Sequence, residues 1–138
     1  MQKNEFRKIC KSRLKSHAVR AARCEHYLLL RRIEGLVKFL KARKILIFLP
    51  MSYEPNVLIL RKKLSKSCEF YVPFMVDISL KMVRLRLPFK ISRFGLRQTL
   101  PQNGYFKKVD LAVVPAIGVD GAMARIGHGK GFYDMFFS

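Results

Sequence analysis

Two short runs constrain this fold more than any other feature of the chain. Residues 44–50 read Lys-Ile-Leu-Ile-Phe-Leu-Pro, and residues 110–115 read Asp-Leu-Ala-Val-Val-Pro. Neither alternates polar with apolar, and each is closed by a proline. A strand without a polar parity buries both faces, which is the pattern of the interior of a parallel sheet. Parallel neighbours need long crossovers, usually helical, so the chain is expected to be α/β. The architecture that follows is a three-layer α/β/α sandwich, Rossmann-like, with a largely parallel sheet in a single domain over residues 1–138. In such sheets ligands bind beyond the carboxyl ends of the strands, so the loops after Pro50 and Pro115 are expected to build the site.

The rest of the chain supplies the covering elements. A helix is expected over residues 3–23. In the next one Leu28, Leu29, Ile33, Leu36, Val37 and Leu40 recur at spacings of three and four and make one apolar stripe. Ser52-Tyr-Glu-Pro55 reads as the start of a helix over residues 56–66, with Pro55 in its first turn and Glu54 at the positive end of its dipole. Residues 69–76 form a second strand candidate. Residues 78–87 alternate poorly, and 88–108, with two Pro and two Gly, read as a long connection.

Charge narrows the function classes. The chain has 28 Lys and Arg against 9 Asp and Glu, a formal net charge of +19. An acidic or Ser/Pro-rich disordered chain is excluded, because half the residues are hydrophobic. Three cysteines, at 10, 24 and 68, are odd in number and widely spaced, so no disulfide framework follows and a reducing cytoplasm is expected. The charged first residues do not resemble a secretory signal, and no apolar run approaches the roughly 20 residues of a membrane span. Nucleic acid is the natural polyanionic partner for +19, tracked by the basic residues of 1–44 or by the stretch from Arg84 to Arg97 with Phe89 and Phe94. No ribonucleoprotein aromatic motif, zinc spacing or helix-turn-helix accompanies that charge, so nucleic acid is not expected to be the main partner. Cys24-x-His26 is too sparse for a metal site, and His17 reads as an ordinary helix residue.

Residues 121–134 concentrate the chemistry. Gly127, Gly129 and Gly131 fall at every second position, among Arg125, His128, Lys130, Tyr133 and Asp134. Glycines let successive backbone N–H groups converge on an anion, and Arg125 and Lys130 add the charge that the backbone lacks. A short helix from Phe132 would point its N-terminus at the same anion, and Asp134 would hold a Mg²⁺ bridging phosphate oxygens. Two standard phosphate motifs do not fit. Gly131 stands where the Ser or Thr of a P-loop belongs. Phe132 stands where the dinucleotide fingerprint has its third glycine, and no strand is expected to lead directly into the loop. A plain glycine hairpin and a solvated basic loop remain the simple alternatives.

The whole string Arg-Ile-Gly-His-Gly-Lys-Gly-Phe-Tyr-Asp, following a Val-Val-Pro strand, resembles the signature of the 5-formyltetrahydrofolate cyclo-ligase family. Two further places agree in order. Lys3-Asn-Glu-Phe-Arg7 is similar to that family's N-terminal Lys-x-x-x-Arg, and Phe48-Leu49-Pro50-Met-Ser-Tyr-Glu54 to its folate-lining strand and loop. The resemblance implies an ATP-dependent enzyme that closes 5-formyltetrahydrofolate to 5,10-methenyltetrahydrofolate, releasing ADP and phosphate. It implies ATP contacts from Lys3, Asn4, Glu5, Phe6 and Arg7 and from Arg125, Ile126, Gly127, His128, Gly129, Lys130, Gly131, Phe132 and Tyr133. Folate would meet Leu49, Glu54 and residues His128 to Phe132. Arg125 and Lys130 would be catalytic, and Asp134 would bind Mg²⁺. Without the resemblance, Lys3 and Arg7 read as a solvated basic helix face, and Glu54 reads equally as a helix cap. The implied partners are ATP and a reduced folate, in a cytoplasmic monomer.

The family pattern continues past its Tyr-Asp pair through a helix, further strand structure and a second metal-binding aspartate, whereas this chain stops at Ser138. The expectation is therefore a domain lacking the family's last elements. A nucleotide-binding remnant without turnover is the alternative reading of the same loop.

Overall fold

The computed structural model describes residues 2–20, 22–86, 89–91, 97–99, 104–129 and 131–137. Its elements run α1 (Lys3–Arg20), α2 (Ala22–Leu40), β1 (Lys44–Leu46), α3 (Leu58–Leu64), β2 (Glu69–Val76) and β3 (Ser79–Arg84). They continue through β4 (Phe89–Ile91), β5 (Arg97–Thr99), β6 (Leu111–Ala112), β7 (Gly118–Val119), β8 (Arg125–Ile126) and α4 (Phe132–Phe136).

The central sheet has the order β3-β2-β1-β6. β1 pairs in parallel with both β2 and β6, as its unbroken apolar run predicts, and β3 closes the edge antiparallel to β2. Regular pairing in β1 and β6 is shorter than the apolar runs. The ladder nevertheless extends past β1, with Ile47 N–H donating to Tyr71 O and Val113 N–H to Leu46 O, both at 2.8 Å. Asp110 fixes the register where β1 and β6 begin. Its Oδ2 accepts from the N–H groups of Lys44 (3.0 Å) and Arg43 (2.8 Å), and those two bonds lower its carboxyl pKa.

Alternation along β1 divides the core between two faces. Ile45 and Ile47 join Phe70, Val72 and Phe74 beneath Leu30 and Val37 of α2 and Leu60 and Leu64 of α3. Leu46 points the other way, with Tyr71 and Met82, and is covered by Val109 and by Phe136 of α4. Ile45 and Ile47 lose all exposure, which contributes about 1.5–3 kcal/mol for each side chain. The result is the α/β sandwich expected, with one thick helical layer and one thin one.

Several local expectations are corrected. The α2 stripe is narrower than the periodicity suggested. Leu30, Ile33 and Val37 face the core, while Leu28, Leu29, Leu36 and Leu40 are exposed. The seam against α3 and the sheet is only one residue wide per turn, so the flanking leucines have no described element over them. The first helix ends at Arg20, not at residue 23. The helix after Pro50 covers only Leu58–Leu64, and Val57 caps it without a side-chain bond. Glu54 therefore does not serve its dipole; Oε1 instead accepts from the Met51 N–H at 2.8 Å and closes the turn that follows β1. Residues 88–108 are not a bare connection, because β4 and β5 pair as an antiparallel hairpin. Phe89 at its start packs against the main core, so it is not free to stack on bases; Phe94 lies outside the described residues.

Candidate active site

Two separate loops are brought together beyond the ends of β1 and β6, as the strand ends require. β7 and β8 form a small antiparallel hairpin, so a two-residue strand does lead directly into the glycine loop, contrary to the sequence expectation. Its turn is closed by Asp120, whose Oδ1 accepts from the N–H groups of Ala122 (2.8 Å) and Ala124 (2.9 Å). Ile126 turns inward and is 6% exposed, so its side chain packs and does not face a ligand.

Arg125 then anchors the loop. Its Nε donates to Pro115 O at 2.7 Å, Nη1 lies 3.7 Å from Asp134 Oδ1, and the guanidinium sits 5.2 Å from the Tyr133 ring centroid. At Gly127 the guanidinium fills the space a side chain would take, since a Cβ there would come within 2.8 Å of Nη2. Gly129 and Gly131 are glycine for a different reason, adopting φ of +101° and +70°. Gly131 starts α4, but five residues make too short a helix for an N-terminal anion site to rest on it. Lys130 and the Phe132 side chain lie outside the described residues.

The first helix reaches the same loop from 120 residues away. Arg7 Nε donates to Gly127 O at 3.1 Å, and a Cβ on Gly129 would lie 3.3 Å from Arg7 Cζ. Arg7 Nη1 also donates to Asn4 Oδ1 at 2.8 Å, so Asn4 orients the guanidinium. Phe6 and Cys10 dock α1 onto the hairpin, where a Cβ on Gly118 would lie 3.3 Å from the Phe6 ring and 2.9 Å from Cys10 Sγ. Phe6 is thus an anchor for α1 by packing. Lys3 and Glu5 remain exposed, Glu5 Oε2 accepting only a long bond from the Gln2 N–H.

The loop after β1 meets the glycine loop. Tyr53 is buried, and its hydroxyl lies 2.7 Å from Nε2 of His128. Burial, then the charges of Lys11 and Arg125, hold His128 below the ordinary imidazole pKa. Burial raises the Glu54 carboxyl, opposed by its bond from Met51. Burial also pushes the Tyr133 phenol up, while Arg125 lowers it and Glu54 raises it. One phenol thus feels both the guanidinium of the glycine loop and the carboxylate of the loop after β1. Leu49 is partly buried against the main core.

Sequence reasoning missed Tyr53 and the α1 cations Lys11 and Lys15. Arg7, Lys11 and Lys15 follow at intervals of four and share a helix face, a signal present in the basic residues of 1–44. Metal binding has a limited basis here. Among the described residues no three His, Cys, Asp or Glu side chains cluster. A single exposed carboxylate, Asp134, suits Mg²⁺ only as a partner of phosphate oxygens and water. No described helix is long and apolar enough to cross a membrane.

The fold is similar to the NMR structure of the 5,10-methenyltetrahydrofolate synthetase of Aquifex aeolicus, with a TM-score of 0.78 and 23% identity over 99% of this chain and 72% of that one. A 5,10-methenyltetrahydrofolate synthetase from Mycoplasma pneumoniae superposes with a TM-score of 0.67 and 20% identity, over 99% of this chain and 77% of the other. No curated protein matches the sequence significantly. The family model described as 5-formyltetrahydrofolate cyclo-ligase matches residues 1–138. Signature loop, strand order and a match from first residue to last agree that the chain belongs to the 5-formyltetrahydrofolate cyclo-ligase family.

Proposed function

We propose that this chain catalyses the ATP-dependent cyclisation of 5-formyltetrahydrofolate to 5,10-methenyltetrahydrofolate, with release of ADP and phosphate. The observation that carries this reading is the meeting of Arg7, Arg125 and the glycine loop beside the Tyr53–Glu54 turn, at the carboxyl ends of β1 and β6.

The formyl oxygen is a poor leaving group. Transfer of the γ-phosphoryl group to that oxygen converts it into phosphate; the neighbouring folate nitrogen attacks the formyl carbon, loses its proton, and phosphate departs as the ring closes. Such transfer asks chiefly for positioning and charge neutralisation. Arg125 is fixed on Pro115 O to meet the transferring group, and Lys130 shares that role. Arg7, oriented by Asn4, and Lys3 serve the remaining phosphates from α1. Backbone groups of residues 126–133 enclose the triphosphate, with Gly129 and Gly131 giving the positive-φ turns that other residues rarely adopt. Asp134 would hold Mg²⁺ against phosphate oxygens, and Mg²⁺ supplies neutralisation of the developing charge. On the folate side Glu54, half-buried beside Tyr133, accepts from the N–H edge of the pterin, and Leu49, His128 and Phe132 complete the contact. The partners are small molecules, and the single domain acts as a monomer in the cytoplasm.

The test is formation of 5,10-methenyltetrahydrofolate, followed by its near-ultraviolet absorbance with purified chain, 5-formyltetrahydrofolate and MgATP. Absorbance that rises only with ATP supports the reading. Folded chain that binds MgATP without turnover overturns the catalytic assignment and leaves the nucleotide site, and absence of both overturns the site.

A further inference from the structure

Tyr53 is 7% exposed, yet its hydroxyl must keep a partner. Two acceptors are within reach, Nε2 of His128 at 2.7 Å and Sδ of Met51 at 3.1 Å. Burial, then the charge of Glu54, raises the phenol pKa, so the proton stays on oxygen at neutral pH. A phenol with one proton gives it to the stronger acceptor, and a neutral imidazole nitrogen is far stronger than a thioether. The imidazole is neutral for reasons visible around it. Burial disfavours its charge, and the cations Lys11 from α1 and Arg125 from β8 add to that. Lys15, also on α1, brings Nζ 5.9 Å from the Tyr53 ring centroid, and Glu54 is the facing carboxylate.

We propose that Tyr53 is a positioning residue for the glycine loop: it donates to Nε2 of His128, fixes the ring as the Nδ1–H tautomer, and pins the turn after β1 to the loop after β8. The bond joins residues 75 apart in sequence, one in the turn after β1 and one in the loop after β8. Nδ1–H is then the ring's single donor, suited to a phosphate or carbonyl oxygen of a ligand held between the loops. That ligand role rests on the reading of the cleft given above. The hydrogen bond belongs to the free chain and is tested without ligand.

The experiment is long-range proton–nitrogen NMR of histidine-labelled chain, with His128→Asn identifying the His128 signal among the three histidines. The expected wild-type spectrum at neutral pH shows Nε2 unprotonated and Nδ1 protonated. Tyr53→Phe should shift the ring toward the Nε2–H form and raise its pKa toward the ordinary value. Met51→Leu should change neither. With substrates, Tyr53→Phe should raise KM for MgATP by about five-fold, the worth of one such hydrogen bond, and change kcat by less than about two-fold. A wild-type Nε2–H tautomer overturns the proposal, even if Tyr53→Phe fails to fold. So does a folded Tyr53→Phe with unchanged His128 tautomer and titration. The expected tautomer with no response to MgATP or folate upholds the hydrogen bond and overturns the cleft reading.

Discussion

Gly127→Ala tests the anchoring of Arg125 most directly. Gly127 has no left-handed φ, so alanine brings no backbone strain of its own. Its methyl would lie 2.8 Å from Nη2, 2.9 Å from Nη1 and 3.1 Å from Cζ of Arg125, so the guanidinium must move. Moving it stretches the 2.7 Å bond to Pro115 O and lifts the group off Tyr133. A charged hydrogen bond is worth about 1.5–3 kcal/mol, and an exposed cation–π contact about 0.5–1 kcal/mol. Arg125 keeps 28% of its side-chain exposure, so water recovers part of both. That loss is one of stability, and a guanidinium displaced from its place also loses the charged hydrogen bond to an anion it neutralises, about 2 kcal/mol or about 30-fold weaker binding. The assay is calorimetric titration with MgATP across wild type, Gly127→Ala, Arg125→Ala and the double variant. The methyl should cost about 2 kcal/mol in wild type and under about 0.5 kcal/mol once the guanidinium is gone. An equal cost in both backgrounds refutes the reasoning, because alanine would then act on the loop backbone and not through Arg125.

Three further outcomes follow from the same geometry. Arg7→Met keeps the apolar stem and loses the donor to Gly127 O, so MgATP should bind about ten-fold more weakly, as for the loss of a charged hydrogen bond of about 1.5 kcal/mol; unchanged affinity counts against Arg7 at the site. Gly118→Ala should destabilise the chain by about 1–3 kcal/mol through overpacking against Cys10 and Phe6, and adding Cys10→Ala should recover most of that loss in urea denaturation, whereas no recovery would locate the clash elsewhere. Glu54 gives a pH dependence. Burial raises its folded pKa above the unfolded value, so the folded chain holds that proton more tightly. Its contribution is then full below the unfolded carboxylate pKa and fades as pH rises through the folded one. Gln keeps the acceptor for the Met51 N–H, so Glu54→Gln should match wild type at low pH and exceed it at pH 7. A Gln variant less stable at pH 7 refutes the sign.

The parts of this fold written in the sequence are those that rest on burial pattern. β1, buried on both faces between two parallel neighbours, follows from five consecutive apolar residues, and the joining of the loops after Pro50 and Pro115 follows from strand direction. The hairpin of β4 and β5 is not legible, because three-residue strands that mix apolar, polar and basic residues carry no period. Nor is the narrowness of the α2 seam, since Leu28 and Leu36 satisfy helical spacing whether or not anything covers them. In the site, Arg125, His128 and the glycines were marked by the motif. Tyr53 was passed over because a tyrosine in a turn has no signature until its partner is known. The role of Glu54 in closing its own turn, in place of capping a helix, depends on α3 starting at Leu58, and helix boundaries are the weakest inference from sequence.

The bond from Arg7 to Gly127 sets an order of events during synthesis. At about 5–20 residues per second, the ribosome makes α1 about 6–24 s before the carbonyl that Arg7 will hold. Over that interval a helix with seven basic residues and one acid has neither its hairpin nor its loop to dock on. The two ends of the site therefore meet only after nearly the whole chain has been made, and docking then takes Arg7 and Lys11 out of full exposure while Lys3, Lys8, Arg13 and Lys15 stay in water.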